Sequence, residues 1–344
     1  MGENENNLPI AVTIGEPSGI GPELIIKSWF KRRENQLPPF FVIGSEASIQ
    51  KHAEQINIPI PLQVISSPEE VNSIFHHALP VIDLGLDGSF QFANPANNTA
   101  PMVIGAIDKA VEYIINGEAR AMATAPIHKS ALYDAGFTSP GHTEYLGELA
   151  NTHLKKEFHP VMMLASEQLC VVPLTIHEPI SKVPELINFK LLVRTIGIIN
   201  DSMKKYFGVS SPTIAVSGLN PHAGENNAMG HEDSKIIAPA IEAMQKQGVK
   251  VNGPFPADTM FHAAARNQYD VALCMYHDQA LIPIKTIDFD AGVNVTLGLP
   301  FVRTSPDHGT ALDIAGKNIA NTTSMINSIK LADRMSRNLP TAED

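Results

Sequence analysis

The strongest constraint in this sequence is a rhythm in which short β-branched runs alternate with longer stretches whose apolar residues recur at helical spacing. Strand-like runs fall near 10–14, 40–43, 62–65, 80–83, 121–124, 161–164, 169–174, 213–217, 271–275 and 293–297. Helical patterns fall near 22–33, 101–116, 142–151, 189–206, 234–247, 258–266 and 321–338. Such alternation predicts parallel strands sandwiched between helical layers. At 344 residues the chain exceeds what a single hydrophobic core usually supports. The expectation is therefore two α/β/α domains with a cleft between them, one from residues 1–134 plus 305–344 and the other from 135–304. Residues 85–88 read as irregular connection.

Composition excludes several function classes. The charge balance of −11 disfavours non-specific nucleic-acid binding, so an anionic substrate would need a local basic cluster. The two cysteines, Cys170 and Cys274, sit in apolar runs and imply no disulfide framework. The N-terminus is acidic, without the basic and apolar regions of a signal peptide, and Asn6 breaks a myristoylation pattern. No apolar run approaches membrane-spanning length. A cytoplasmic protein with no membrane partner is expected.

The stretch Gly15-Glu-Pro-Ser-Gly-Ile-Gly-Pro-Glu23 stands between a strand-like run and a helical pattern, the setting of a dinucleotide-binding loop. Its spacing fails that role: read from Gly19 and Gly21, Leu24 occupies the place of the third glycine. The next strand-like run also lacks the acidic residue that would hold a ribose hydroxyl. A tight turn with Pro22 opening a helix, or a backbone approach to a small anion, remain as readings.

Polar residues concentrate just after strand-like runs, where open α/β sheets bind ligands. Histidine recurs there, whereas His52, His76 and His77 read as surface residues. His177, His222 and His277 each follow a strand pattern, and three imidazoles with an open position would suit a catalytic divalent metal. Each alone is also consistent with a structural histidine. Asp278 and Asp258 are candidates for a base or for orienting a ligand, and Asp258 could equally cap a helix. Lys285, Asn294 and Arg303 form a candidate phosphate-binding set, although both cations could be surface residues paired with Asp288 and Asp290. The stretch Asp307-His-Gly-Thr-Ala-Leu-Asp-Ile-Ala-Gly-Lys317 reads as a turn at Gly309, a cap at Thr310 and a short helix ended by Gly316, a seat for nucleotide phosphates or ribose.

That last stretch resembles the His-Gly-Ser-Ala-Pro-Asp-Ile-Ala-Gly-Lys nucleotide loop of isocitrate and isopropylmalate dehydrogenases, which implies a nicotinamide cofactor, NAD or NADP, near His308, Gly309, Thr310 and Asp313. From Gly15 to about Asn321 the chain resembles the 4-hydroxythreonine-4-phosphate dehydrogenase family of the vitamin B6 pathway. The resemblance is carried by Gly15–Glu23, Gly141-His-Thr-Glu144, Asn220-Pro-His-Ala-Gly-Glu225 and Tyr276-His-Asp-Gln279. Glu16 and Ser18 depart from the family's commoner Asp and Ala. The resemblance implies an isocitrate/isopropylmalate dehydrogenase-like fold. It implies His177, His222 and His277 as ligands of one divalent metal, zinc foremost, with magnesium, cobalt, manganese or nickel as alternatives. It implies that His142, Thr143, Lys285, Asn294 and Arg303 contact a phosphorylated four-carbon hydroxy acid. It further implies a homodimer whose active sites are shared between subunits, one histidine coming from the partner chain. Oxidation of threonate or erythronate 4-phosphate is the nearest competing activity, and a zinc hydrolase is the competitor from another class.

Overall fold

A computed structural model of the chain describes residues 7–86, 89–139 and 141–339. The N-terminal stretch before Asn7 and Gly88 of the 85–88 connection lie outside the described residues. Packing divides the chain into two compact units, one formed by residues up to Pro160 together with those from Leu299 onward, the other by Val161–Gly298. The divisions at 160/161 and 298/299 compare with the expected 134/135 and 304/305.

The first unit holds β1 (Ile10–Thr13), β2 (Phe40–Gly44), β3 (Leu62–Val64), β4 (Leu79–Asp83), β5 (Ala121–Thr124) and β12 (Arg303–Pro306). Its helices are α1 (Gly21–Phe30), α2 (Glu46–Gln55), α3 (Val71–Ile74), α4 (Ala100–Ile115), α5 (Lys129–Asp134), α6 (His142–Leu154) and α12 (Thr323–Arg337). The strands lie in the order β3-β4-β2-β1-β5-β12, and every pairing is parallel. Ile10 pairs with Phe40 on one side and Ala121 on the other. Covered on both faces, these strands need apolar residues at every position, and all of β1, β2 and β5 is buried. Helix α4 turns Met102, Val103, Ala106, Ile107, Ala110 and Val111 inward at i, i+3, i+4 spacing and packs on β1, β2 and β5. Phe40, fully buried against the edge of Phe75, is worth about 3–5 kcal/mol against truncation to alanine. Helix α6 is tied to α4 by the Tyr145 hydroxyl, which donates to Asp108 at 2.5 Å, so residues 142–154 pack with this unit. Strand order reverses at β1, which makes the carboxyl ends of β1 and β5 the natural binding crevice of this sheet.

The second unit holds β6 (Val161–Ala165), β7 (Cys170–Thr175), β8 (Thr213–Ser217), β9 (Lys250–Phe255), β10 (Val271–Tyr276) and β11 (Val293–Leu297). Its helices are α7 (Val183–Leu186), α8 (Phe189–Phe207), α9 (Ala238–Lys246), α10 (Ala263–Arg266) and α11 (His277–Ile287). The order is β11-β6-β7-β10-β8-β9. Here the expectation of parallel strands needs correction, because β6 runs antiparallel to both β11 and β7. The cause is connection length: only residues 166–169 join β6 to β7, enough for a turn but not for a crossover. Ser166 N–H closes that turn on the Leu169 carbonyl at 2.9 Å. Helix α8 begins where the Asn188 side chain accepts from Leu191 N–H at 2.9 Å and stops at Gly208, whose φ of 69° ends the helix without a Cβ clash. Strands β7, β10 and β8 are parallel neighbours, so their carboxyl ends open on one side of the sheet.

Candidate active site

In the first unit, the Gly15–Glu23 loop is tightly packed against its neighbours. Gly15, at φ 71°, leaves no room for a side chain, since a Cβ would lie 2.5 Å from the Pro126 carbonyl. Glu16 N–H donates to that carbonyl at 2.9 Å and Ile20 N–H to the carbonyl of Thr310 at 3.0 Å. Burial raises the Glu16 carboxyl above its ordinary value, opposed by Ser18, whose N–H donates to it at 2.9 Å. His52 corrects a sequence expectation: it is fully buried, because α2 turns Ile49, His52 and Ala53 inward. Its Nε2 donates to the Pro17 carbonyl at 2.7 Å while the ring stacks on Phe90, so it clamps the loop from below.

Beside that loop, β5 and β12 place a cation out of water. Arg303 opens β12 in register with Met122, and its side chain is buried, not a surface cation paired with Asp288 or Asp290. Nε and Nη2 donate to the Thr124 hydroxyl at 3.2 and 2.8 Å, and Nη2 lies 3.2 Å from His142 Nδ1. Burial lowers Arg303 to about 10, which leaves it cationic at neutral pH. His142, the first residue of α6, is held well below the ordinary histidine range by burial and then by the charges of Arg303 and Lys129. Because a guanidinium can only donate, Nδ1 of this neutral ring accepts and Nε2 carries the proton. That Nε2 is shielded from solvent and has no partner, a donor awaiting an acceptor. Thr143 follows in the same first turn, and Gly141 at the cap supplies no side chain to the free N–H groups there. A buried guanidinium, an imidazole donor and an uncapped helix start suit an anion.

The candidate nucleotide loop departs from its expected form. Thr310 caps nothing; Ala311, at φ 42°, precedes a single 3₁₀ turn over Leu312–Ile314, so no helix dipole points at a ligand. Asp313 is exposed. His308 Nδ1 donates to the Gly309 carbonyl at 3.1 Å, and its Nε2 is buried without a partner, an acceptor for a ligand donor.

In the second unit, Thr175 ends β7 and His177 follows it, while His277 and Asp278 open α11 after β10. The Thr175 hydroxyl donates to the Met275 carbonyl at 2.8 Å, fixing the two strand ends together. The His177 and His277 rings then stand 5.6 Å apart. His277 Nδ1 donates to Asp278 at 2.7 Å, which leaves Nε2 outward in the arrangement common among metal-ligating histidines. Gln279 was not singled out from sequence as a site residue, yet it accepts from Ser217 Oγ and Met275 N–H, each at 2.7 Å, and donates to Gly218 at 2.9 Å. It locks the ends of β8 and β10. Lys285 lies two turns along α11 from Asp278, on the same face and about 10 Å away. Asn294, on β11, carries a buried Oδ1 with no partner. Asp258 is exposed in a 3₁₀ turn over Ala257–Thr259; it caps no helix, and the helical pattern expected over 258–266 shortens to α10.

His222 follows β8 in a turn of unusual backbone. From His222 to Asn227 every φ is positive, at 52, 52, 82, 38, 54 and 71°. For residues other than glycine this costs about 1–2 kcal/mol each. Among the described residues no three His, Cys, Asp or Glu side chains stand together as a metal-holding group, so His222 does not join the His177–His277 pair within this chain.

Two α/β units, one with an all-parallel sheet and a buried cation beside its strand-end crevice, define an α/β enzyme with a site suited to an anionic ligand. Residues 36–332 match the family described as pyridoxal phosphate biosynthetic protein PdxA, and this chain belongs to that family. It is 48% identical over 334 residues to 4-hydroxythreonine-4-phosphate dehydrogenase of Bradyrhizobium diazoefficiens, covering 95% of this chain and 96% of that one. The protein of the same name from Ruegeria sp. (strain TM1040) is 49% identical over 329 residues, covering 95% and 97%. A crystal structure of 4-hydroxythreonine-4-phosphate dehydrogenase from Klebsiella pneumoniae superposes with a TM-score of 0.86 at 37% identity, covering 96% of this chain and 99% of that one.

Proposed function

We propose that this chain oxidises 4-phosphohydroxy-L-threonine to 2-amino-3-oxo-4-phosphobutyrate, which loses CO₂ to give 3-amino-2-oxopropyl phosphate, a step of pyridoxine 5′-phosphate biosynthesis. The observation that carries this reading is the buried Arg303 guanidinium beside the unsatisfied Nε2 of His142. A substrate phosphate would be held by the guanidinium fork of Arg303 and the first-turn N–H groups of α6. His142 Nε2–H would then orient a substrate oxygen. Binding energy gathered at the phosphate would place the carbon that reacts. Lys285 and Asn294 are proposed as further substrate contacts, the latter supported by its unpaired Oδ1.

NAD or NADP supplies the two-electron acceptor, with His308, Gly309, Thr310 and Asp313 as its proposed contacts; the free Nε2 of His308 suits a donor such as an amide or hydroxyl. The paired imidazoles of His177 and His277, with Asp278 behind one of them, fit two ligands of a divalent metal, zinc foremost, and His222 is proposed as the third, reaching the ion from the other subunit of a homodimer. When bound, such an ion acts as a Lewis acid on the substrate hydroxyl and on the carbonyl it becomes. Asp278 is occupied in orienting His277, so Asp258, exposed and uncommitted to a cap, is the better candidate for taking the hydroxyl proton. Decarboxylation follows because the new carbonyl, β to the carboxylate, delocalises the electron pair left by CO₂. A homodimer with sites shared between subunits is proposed as the assembly, and exposed Ile180, Phe189, Ile282 and Phe289 are apolar side chains of the second unit that it could cover.

The test is reduced-nicotinamide absorbance with metal-loaded protein and 4-phosphohydroxy-L-threonine, run beside threonate 4-phosphate and Arg303→Met. Turnover of the amino acid, abolished in the variant, supports the reading. Turnover of threonate 4-phosphate alone would reassign the substrate to a sugar acid, and silence with both would reject a dehydrogenase.

A further inference from the structure

The turn after β8 is held by a carboxylate that no part of the chemistry above uses. Asp233 is buried, and both of its oxygens point back into the turn. Oδ1 accepts from Leu219 N–H at 2.8 Å; Oδ2 accepts from Asn220 N–H at 3.2 Å and from Asn220 Nδ2 at 2.8 Å. Asn220 Nδ2 also donates to Glu232 at 2.8 Å. The approach is so close that a Cβ on Gly218 would sit 2.6 Å from Oδ1, and one on Gly230 would sit 2.4 Å from Asn220 Nδ2. Ser234, the next residue, bonds through its hydroxyl to the Asn227 side chain. Two consecutive residues thus anchor the start and the end of the left-handed run 222–227, a conformation that L-residues do not hold unaided. Between the first anchor and His222 stands only Pro221, whose φ is fixed, so the backbone position from which His222 emerges is set by where Asp233 holds residues 219 and 220.

We infer that Asp233 is a positioning residue, which fixes the left-handed turn so that His222 is presented to a divalent cation. The inference rests on the proposed role of His222 as a ligand. With both of its oxygens engaged by backbone and amide donors, Asp233 acts through the turn and not as a ligand or base.

The test uses cobalt(II) titrated into the full cation-free chain, read by calorimetry and by the visible spectrum of the bound ion, with thermal melting as the check on folding. Asp233→Asn keeps the shape but in either amide orientation turns an NH₂ toward at least one donor; it should weaken cobalt binding roughly ten- to hundred-fold and change the spectrum. Asn220→Ala, which leaves the Leu219 bond in place, should give a smaller loss of the same sign, and it decides the matter if Asp233→Asn does not fold. His222→Ala should lose at least as much as either. Folded Asp233→Asn or Asn220→Ala protein with the parent's affinity and spectrum, alongside a weakened His222→Ala, would overturn the positioning role alone. Undiminished binding by His222→Ala would instead remove His222 from the ligand set, and the inference with it.

Discussion

Acidification should selectively weaken the first unit through His52. Its ring is buried among Phe90, Phe92 and the Pro17 carbonyl, and desolvation lowers it from the ordinary 6.5 to about 4. Between those values the unfolded chain binds a proton that the folded chain refuses. Stability from this residue is therefore fully present above pH 6.5, falls as the pH drops toward 4, and changes no further below that. At about 1.4 kcal/mol per pH unit the interval corresponds to about 3 kcal/mol, a large share of a typical domain's stability. His52→Gln keeps a donor for Pro17 but does not titrate. It should be less stable than the parent at pH 7, having lost the stacked ring, and should lose about 3 kcal/mol less on going to pH 4. Urea unfolding can be followed locally, because the single tryptophan, Trp29, is buried in the same unit on α1. Parallel pH profiles for parent and variant would refute the reasoning, since other groups titrate identically in both.

Three further outcomes follow from the site and its surroundings. Arg303→Lys should lower kcat/KM roughly 10–100-fold in a folded protein, because an ammonium cannot span the Thr124 hydroxyl and a ligand as the guanidinium fork does; unchanged steady-state kinetics would remove Arg303 from the pocket. Nitrogen NMR of labelled histidine should show His142 still neutral and protonated at Nε2 under acidity that charges an ordinary histidine, its depressed pKa following from burial and from the cations Arg303 and Lys129; titration near the ordinary 6.5 would contradict it. Gly15→Ala should cost about 1–3 kcal/mol in melting experiments, more than Gly117→Ala at nearly the same φ, because only Gly15 has a carbonyl in the way; equal costs would show that close approach does not matter there.

Much of the fold was readable because buried parallel strands are continuous apolar runs, and β1, β2, β5 and β10 announce themselves. Elements that escaped the periodicity have identifiable reasons. Strand β9 contains Gly253-Pro254, a pair that normally marks a break, and β12 is Arg-Thr-Ser-Pro, polar in sequence yet wholly buried. Helix α11 carries Pro283 within it, and α2 is dominated by polar residues, its inward stripe reduced to Ser48, Ile49, His52 and Ala53. That stripe was the available signal that His52 faces inward. At the site, strand-end position was enough to single out His177 and His277, because a strand fixes where the next residue must emerge. The turn around His222 was invisible for the opposite reason: its backbone is imposed by Asp233, a residue with no sequence pattern linking it to the histidine.

The first unit is assembled from two stretches of chain, while the second is one uninterrupted stretch. This has a consequence for biogenesis. As the polypeptide leaves the ribosome, residues 161–298 are complete while β5 still lacks β12 beside it and α12, which packs on β12, β5 and α1, is not yet made. Arg303 arrives only with β12, so its contact with Thr124 cannot form before that strand has been made. The first unit must hold Thr124 and the exposed side of β5 unfinished until the final portion of the chain arrives. A cell carrying a late nonsense codon would then accumulate a protein with an intact second unit and a first unit unable to close, a natural substrate for chaperones and proteases.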